Sequence, residues 1–145
     1  MKKRYGIVAR IALVIVIGLF YMSTKNTTFK EVVFDHLNGE VSSIEIIRSS
    51  DTPNEDKITL TDPSQIELIM NAFSQTKLRE VSSISNIHYT EKYWIWLKIN
   101  KVRKFAITLY GKDYVNIAGE DSKYPPKKYR ITNEFDPIVI RGLFK

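Results

Sequence analysis

The strongest pattern of apolar and polar positions lies in the second half of the chain. Between Tyr93 and Asn100, Ile95, Leu97 and Ile99 alternate with Trp94, Trp96 and Lys98, and between Lys104 and Tyr110 the residues Phe105, Ile107 and Leu109 do the same. Alternation of this kind places successive side chains on opposite faces of a strand. The two runs are therefore expected to pair as a hairpin with one shared aliphatic face. A one-residue slip would turn one strand over, so directly paired positions must have an even sum. A three-residue loop, Lys101-Val102-Arg103, meets this condition and predicts Ile99 opposite Phe105, Leu97 opposite Ile107 and Ile95 opposite Leu109; a five-residue loop keeps the same pairing. A two-residue turn gives an odd sum and is set aside. On the other face Trp96 meets Thr108 and Trp94 meets Tyr110. A second turn at Gly111-Lys112-Asp113 carries the pattern into Tyr114–Ile117, with Leu109 opposite Val115 and Tyr110 opposite Tyr114. Trp94, Tyr110 and Tyr114 are then expected in one row across three strands.

Other elements follow from local signals. Asp62-Pro63-Ser64-Gln65 reads as a helix start, with Asp62 as cap, proline at the first helical position and Gln65 completing a capping box. Ile66, Ile69, Met70 and Phe73 recur at helical spacing behind it. Phe29, Val32, Val33 and Leu37 predict a short amphipathic helix that Thr28 caps, with Glu31 three residues on. Strands are expected at Val41–Arg48, Lys57–Thr61, Lys77–Val81 and Lys127–Thr132, with Ile87–Thr90 extending the aromatic strand and a turn-rich break at 49–56. A last helix is expected over Asn133–Phe144, with Pro137 near its start. The sum is an α+β domain: a mainly antiparallel sheet of about six strands with two or three helices on its aliphatic face, preceded by one N-terminal transmembrane helix.

That N-terminal expectation rests on Lys2-Lys3-Arg4 followed by an uncharged run from Ile11 to Met22. The run alone is short, since a span needs about 20 residues; Gly6–Met22 suffices if Arg10 snorkels to the headgroups. Three readings compete. A cleaved signal peptide needs small residues before the cut, and Leu19-Phe20-Tyr21-Met22 offers bulky ones. A buried helix of a globular core would show an amphipathic break. A retained anchor, with the basic end inside, fits best. The expected organisation is an anchor over 1–22, a polar tether over 23–28 and an extracytoplasmic domain over 29–145. Asn26-Thr27-Thr28 matches a glycosylation acceptor, a triplet that is common by chance.

Charge sharpens the picture. The net +6 divides into +4 for residues 1–22, −4 for 23–97 and +6 for 98–145. From residue 23 onward the balance is thus only +2, unlike the strongly basic domains that bind nucleic acid, and no nucleic-acid partner is expected. The 43% hydrophobic and 26% charged residues argue against disorder. No cysteine is present, which excludes disulfides, thiolate metal sites and cysteine nucleophiles.

Catalytic patterns are missing: no nucleophile elbow, phosphate-binding glycine loop or paired metal histidines. His36 and His88 read as surface or hydrogen-bonded histidines. Asp51, Glu55 and Asp56 lack the spacing of a calcium loop and read as a solvated turn. Glu45, between Ile44 and Ile46, falls on the outer face by alternation. No catalytic residue, metal or cofactor is expected. The candidate binding face is Trp94, Trp96, Tyr110, Tyr114 and Lys98, either an exposed platform or a second core covered by the chain itself. Basic residues from Lys98 to Arg130 gather at the turns and the last strand, as a contact for an anionic surface or as a solvated rim that protects the sheet from pairing with other chains.

The order of a basic start, an apolar segment without a lipid-attachment cysteine, a strand pair and an Asp-Pro-Ser-Gln-Ile helix carried by Val41–Arg48 and Lys57–Phe73, and the aromatic hairpin with Phe105–Tyr110 resembles membrane-anchored or lipoprotein-like extracytoplasmic domain families of low-GC Gram-positive bacteria whose function is unknown. The resemblance implies placement at the cell membrane with the C-terminal domain outside, and transfers no active site. The expected function is a membrane-tethered binding module for a protein or cell-envelope polymer. The alternatives are a small enzyme acting on cell-envelope material, or an immunity or regulatory protein docking a partner.

Overall fold

The computed structural model describes residues 2–23, 25–49, 56–85 and 87–144, with side chains described from Gly6 onward apart from Ser23. Its centre is an eight-stranded sheet, antiparallel at every junction. The strands are β1 (Asn26–Thr28), β2 (Ser43–Ser49), β3 (Asp56–Leu60), β4 (Lys77–Val81), β5 (Lys92–Ile99), β6 (Val102–Tyr110), β7 (Tyr114–Gly119) and β8 (Lys127–Ile131), and they lie in the order β1-β4-β8-β7-β6-β5-β2-β3. The helices are α1 (Lys2–Ser23), α2 (Phe29–Val32), α3 (Pro63–Ser74) and α4 (Ile138–Arg141), with a 3₁₀ turn at Phe34–His36. The α+β architecture stands, with eight strands where about six were expected. The strand that no local signal announced is β1, inside the stretch expected as a tether, where Thr27 sits opposite Leu78. Residues 87–90 add nothing to β5, which begins at Lys92.

The N-terminal helix requires a correction. No helix among the described residues is long and apolar enough to cross a membrane. Residues 6–22 give about 25 Å of helix at ~1.5 Å per residue, short of the ~30 Å hydrocarbon core, and Arg10 interrupts them. The expectation of a transmembrane helix is therefore withdrawn. The apolar side chains of α1 are exposed all round, Phe20 by 72%.

Local chemistry explains the other helices. The Asp62 carboxylate accepts from the backbone N–H groups of Ser64 and Gln65 at 2.9 and 3.1 Å, and Pro63 fixes the first turn; Gln65 contributes its backbone, not the side chain a capping box uses. The reciprocal box forms instead at α2, where Thr28 Oγ1 accepts from the Glu31 N–H and Glu31 accepts from the Thr28 N–H. The last helix is one turn, not twelve residues. Asn133 is held as a bridge, accepting from the Lys77 N–H at 2.8 Å and donating to the Gln75 carbonyl at 2.7 Å. Pro137 disfavours helical geometry at the residue before it.

The core fills one side of the sheet. Ile44 and Ile46, Tyr93, Ile95 and Leu97, Phe105, Ile107 and Leu109, and Val115 and Ile117 are all buried there with Ile66, Ile69 and Phe73 of α3. Phe73 stacks between Phe29 at 4.6 Å and Phe135 at 5.4 Å, centroid to centroid.

The aromatic hairpin shares its aliphatic face as expected, but its register differs by two residues. Leu97 pairs with Phe105, Ile95 with Ile107 and Tyr93 with Leu109. The connection is a two-residue turn, Asn100-Lys101, with φ of +50° and +68°, the conformation whose twist suits a two-residue hairpin. Such a turn gives the odd pairs Ile99–Val102 and Lys98–Arg103. A bulge between Leu97 and Lys98 then restores the even sum by leaving one extra residue on β6. The β6–β7 pairing is as expected, with Leu109 opposite Val115 and Tyr110 opposite Tyr114. Gly111, at φ +58°, makes the turn between them.

Candidate functional site

All five candidate residues lie on the outer face, away from the buried aliphatic layer, and the register sorts them into rows. Lys92, Tyr110, Tyr114, Arg130 and Arg79 stand side by side across β5, β6, β7, β8 and β4. At about 4.8 Å between strands this row is roughly 19 Å long. Lys92 holds the place expected for Trp94. Trp94 stands in the next row, between Ile47 and Thr108, with Asn116 and Lys128 beyond. Trp96 lies in a third, between Glu45 and Ala106. Lys98 lies in a fourth, opposite Ser43 and Arg103.

The tryptophans are neither core nor bare platform. Both are partly buried, and each carries a cation from its own chain. Lys92 Nζ sits 4.4 Å from the Trp94 ring and 5.5 Å from that of Tyr110. The Arg103 guanidinium sits 4.3 Å from the Trp96 ring and also faces Glu120 at 3.7 Å. Tyr89 adds an edge contact to Tyr110 at 5.4 Å. Cation–π pairs at such distances contribute about 0.5–1 kcal/mol at exposed sites.

Glu45 is the acid at the centre of this cationic face, and the only buried charged side chain among the described residues. Lys57 Nζ is 2.7 Å from its carboxylate and Lys98 makes a second ion pair with it. The hydrogen bond from Lys57, then that from Lys98, holds the carboxyl below its ordinary range. Its position between Ile44 and Ile46 marked it in the sequence; its two lysines come from other strands.

The far end of the face is different. Arg79 and Arg130 are directly opposite each other on β4 and β8, with Lys128 two residues from Arg130. All three are exposed and form no ion pair among the described residues. Nearby, Asn116 Oδ1 is buried with no hydrogen-bond partner among the described residues. Sequence reasoning counted Arg130 and Lys128 in a basic rim and missed Arg79, which enters only through the β4–β8 pairing.

The remaining candidates resolve simply. His36 Nδ1 and the Tyr124 hydroxyl share a hydrogen bond of 3.1 Å, and His88 is exposed. Of the acidic turn, Asp51 and Glu55 lie outside the described residues and Asp56 pairs with Arg48. No group of three potential metal ligands occurs among the described residues. Comparison with known proteins gives no match to a family model, a curated protein or a solved structure.

Proposed function

We propose that the domain is a non-catalytic binding module whose outer sheet face holds an anionic polymer of the cell envelope, one bearing phosphodiester or carboxylate groups. The observation that carries this is the Arg79–Arg130 pair. Like charges directly opposite in a sheet are destabilising, and no acidic side chain of the described chain relieves this pair. An anion lying across β4 and β8 would relieve it, with Lys128 beside it. The same row continues through Tyr114 and Tyr110 to Lys92, so an extended ligand meets cations at both ends and rings between them. Guanidinium groups suit such a ligand because their forked donors match phosphate and carboxylate oxygens. Placement outside the cytoplasm belongs to this reading and is supported by the sequence resemblance.

Co-sedimentation of the purified chain with immobilised poly(glycerol phosphate), neutral dextran and duplex DNA tests it. Retention on poly(glycerol phosphate) should exceed that on dextran at least tenfold and weaken with salt, as screening requires. The triple variant Arg79→Ala/Lys128→Ala/Arg130→Ala should lose that retention while its melting temperature rises or stays level, since the opposed like charges are gone. Equal retention of variant and wild type, or equal retention on DNA, would overturn the proposal.

A further inference from the structure

On the inner side of the sheet, β6–β8, the β1–β4 edge, the α2 region and the loop after β7 line a cavity of about 340 Å³ to which no α3 residue contributes. That lies at the small end of the roughly 300–1000 Å³ usual for small-molecule sites. Its apolar lining comes from Phe105, Ile117, Val32 and the Tyr129 ring. Tyr129 is buried, and burial pushes its phenol up to about 12, so it stays a neutral hydroxyl at physiological pH.

Tyr124 closes one wall. Its ring lies 4.5 Å from that of His36 and 5.9 Å from that of Phe105. Its carbonyl accepts from the Gly119 N–H at 3.0 Å. The approach is so close that a Cβ on residue 119 would lie 2.6 Å from the Tyr124 Cβ. Glycine is therefore what lets the wall seat.

The charges around the cavity do not cancel. Glu31 accepts from the Thr27 hydroxyl at 2.8 Å and the Thr28 N–H at 2.9 Å. Glu80 is matched by Lys127 at 3.1 Å. Lys25 lies over the Tyr21 ring at 4.9 Å, and neither Lys25 nor Lys123 has an acidic partner among the described residues. An apolar lining with three lysines against two acids, Glu80 paired with Lys127 and Glu31 held by neutral donors, leaves one positive charge in excess and defines a ligand with a compact apolar body and one negative group. We propose that this cavity binds a small organic acid, its body against Phe105, Ile117 and Tyr129 and its carboxylate toward Lys25 and Lys123.

An NMR titration of the isotope-labelled full chain with naphthoate, naphthamide and naphthyl phosphate tests this. Naphthoate should give saturable shifts at the Phe105, Gly119 and Tyr124 amides, with naphthamide binding at least tenfold more weakly. Lys25→Ala/Lys123→Ala should weaken naphthoate about tenfold and leave naphthamide unchanged; neither lysine belongs to the core, so the fold should persist. Gly119→Ala, which displaces Tyr124, should abolish the shifts while the far-UV circular dichroism stays the same. Equal binding of acid and amide, tighter binding of the phosphate than of the carboxylate, shifts confined to other surfaces, or no binding of any probe would each overturn the proposal.

Discussion

On the inner face of β5 stand Tyr93, Ile95, Leu97 and Ile99, none more than 7% exposed; on its outer face stand Lys92, Trp94, Trp96 and Lys98, all partly buried. The same eight residues thus build two surfaces by different physics. Inside, the strand meets a layer of helix, and burial follows from removing aliphatic area from water. Outside, the aromatic rings are shielded by neighbours in the sheet, by Lys92 and Arg103 laid over them, and by Tyr89 at the edge. The lesson is that a large aromatic can be mostly shielded without belonging to a core. Its shield here is cationic side chains at the sheet surface, not a layer of helix.

The contrast can be broken by mutation. Ile95→Ala should have the largest effect, about 2–5 kcal/mol of lost stability, as for other large-to-small core substitutions, read from urea unfolding. Trp96→Ala removes a bigger side chain but leaves a gap that water can enter, and should cost only about 1–2 kcal/mol, given about 25 cal/mol per Å² for the part kept from water. Should the tryptophan prove as costly as the isoleucine, the outer face is a second core and the two surfaces are not different in kind.

Glu45→Gln sharpens the comparison further, with an expected cost of about 1 kcal/mol for weakening charge-assisted hydrogen bonds. Its pH dependence has a definite sign. The folded protein holds this carboxyl below its ordinary value, so its contribution is complete above the unfolded pKa of about 4.3 and is lost as pH falls through the lower folded value. Melting temperatures of wild type and Glu45→Gln should therefore differ at pH 7 and converge in acid. A constant gap across that range would show that the Lys57 and Lys98 pairs contribute nothing through charge.

Much of this was legible in the sequence, for reasons that particular residues make plain. The period-two alternation assigned Ile95, Leu97, Phe105, Ile107 and Leu109 to the buried face, and the β6–β7 register followed because Gly111 supplies a simple turn. The β5–β6 register did not, because a bulge changes pairing parity without altering the alternation on either strand beyond it. Lys92 shares a face with Trp94 by the same two-residue period, so that contact was available to reading; the Arg103–Trp96 contact depends on the bulge and was not. The length of α4 was misread because Asn133 makes cross-strand hydrogen bonds that no helical pattern announces. The opposed arginines and the inner cavity draw on strands distant in sequence, and only the sheet order brings them together.

The three-residue strand β1 has a mechanical meaning. It joins α1 to the domain through three paired positions on β4, and the chain then plunges directly into the core at Phe29, 1% exposed and stacked on Phe73. Loosening that begins at the N-terminal side would therefore release these three pairs before it reaches Phe29, and β4 would still be held by β8.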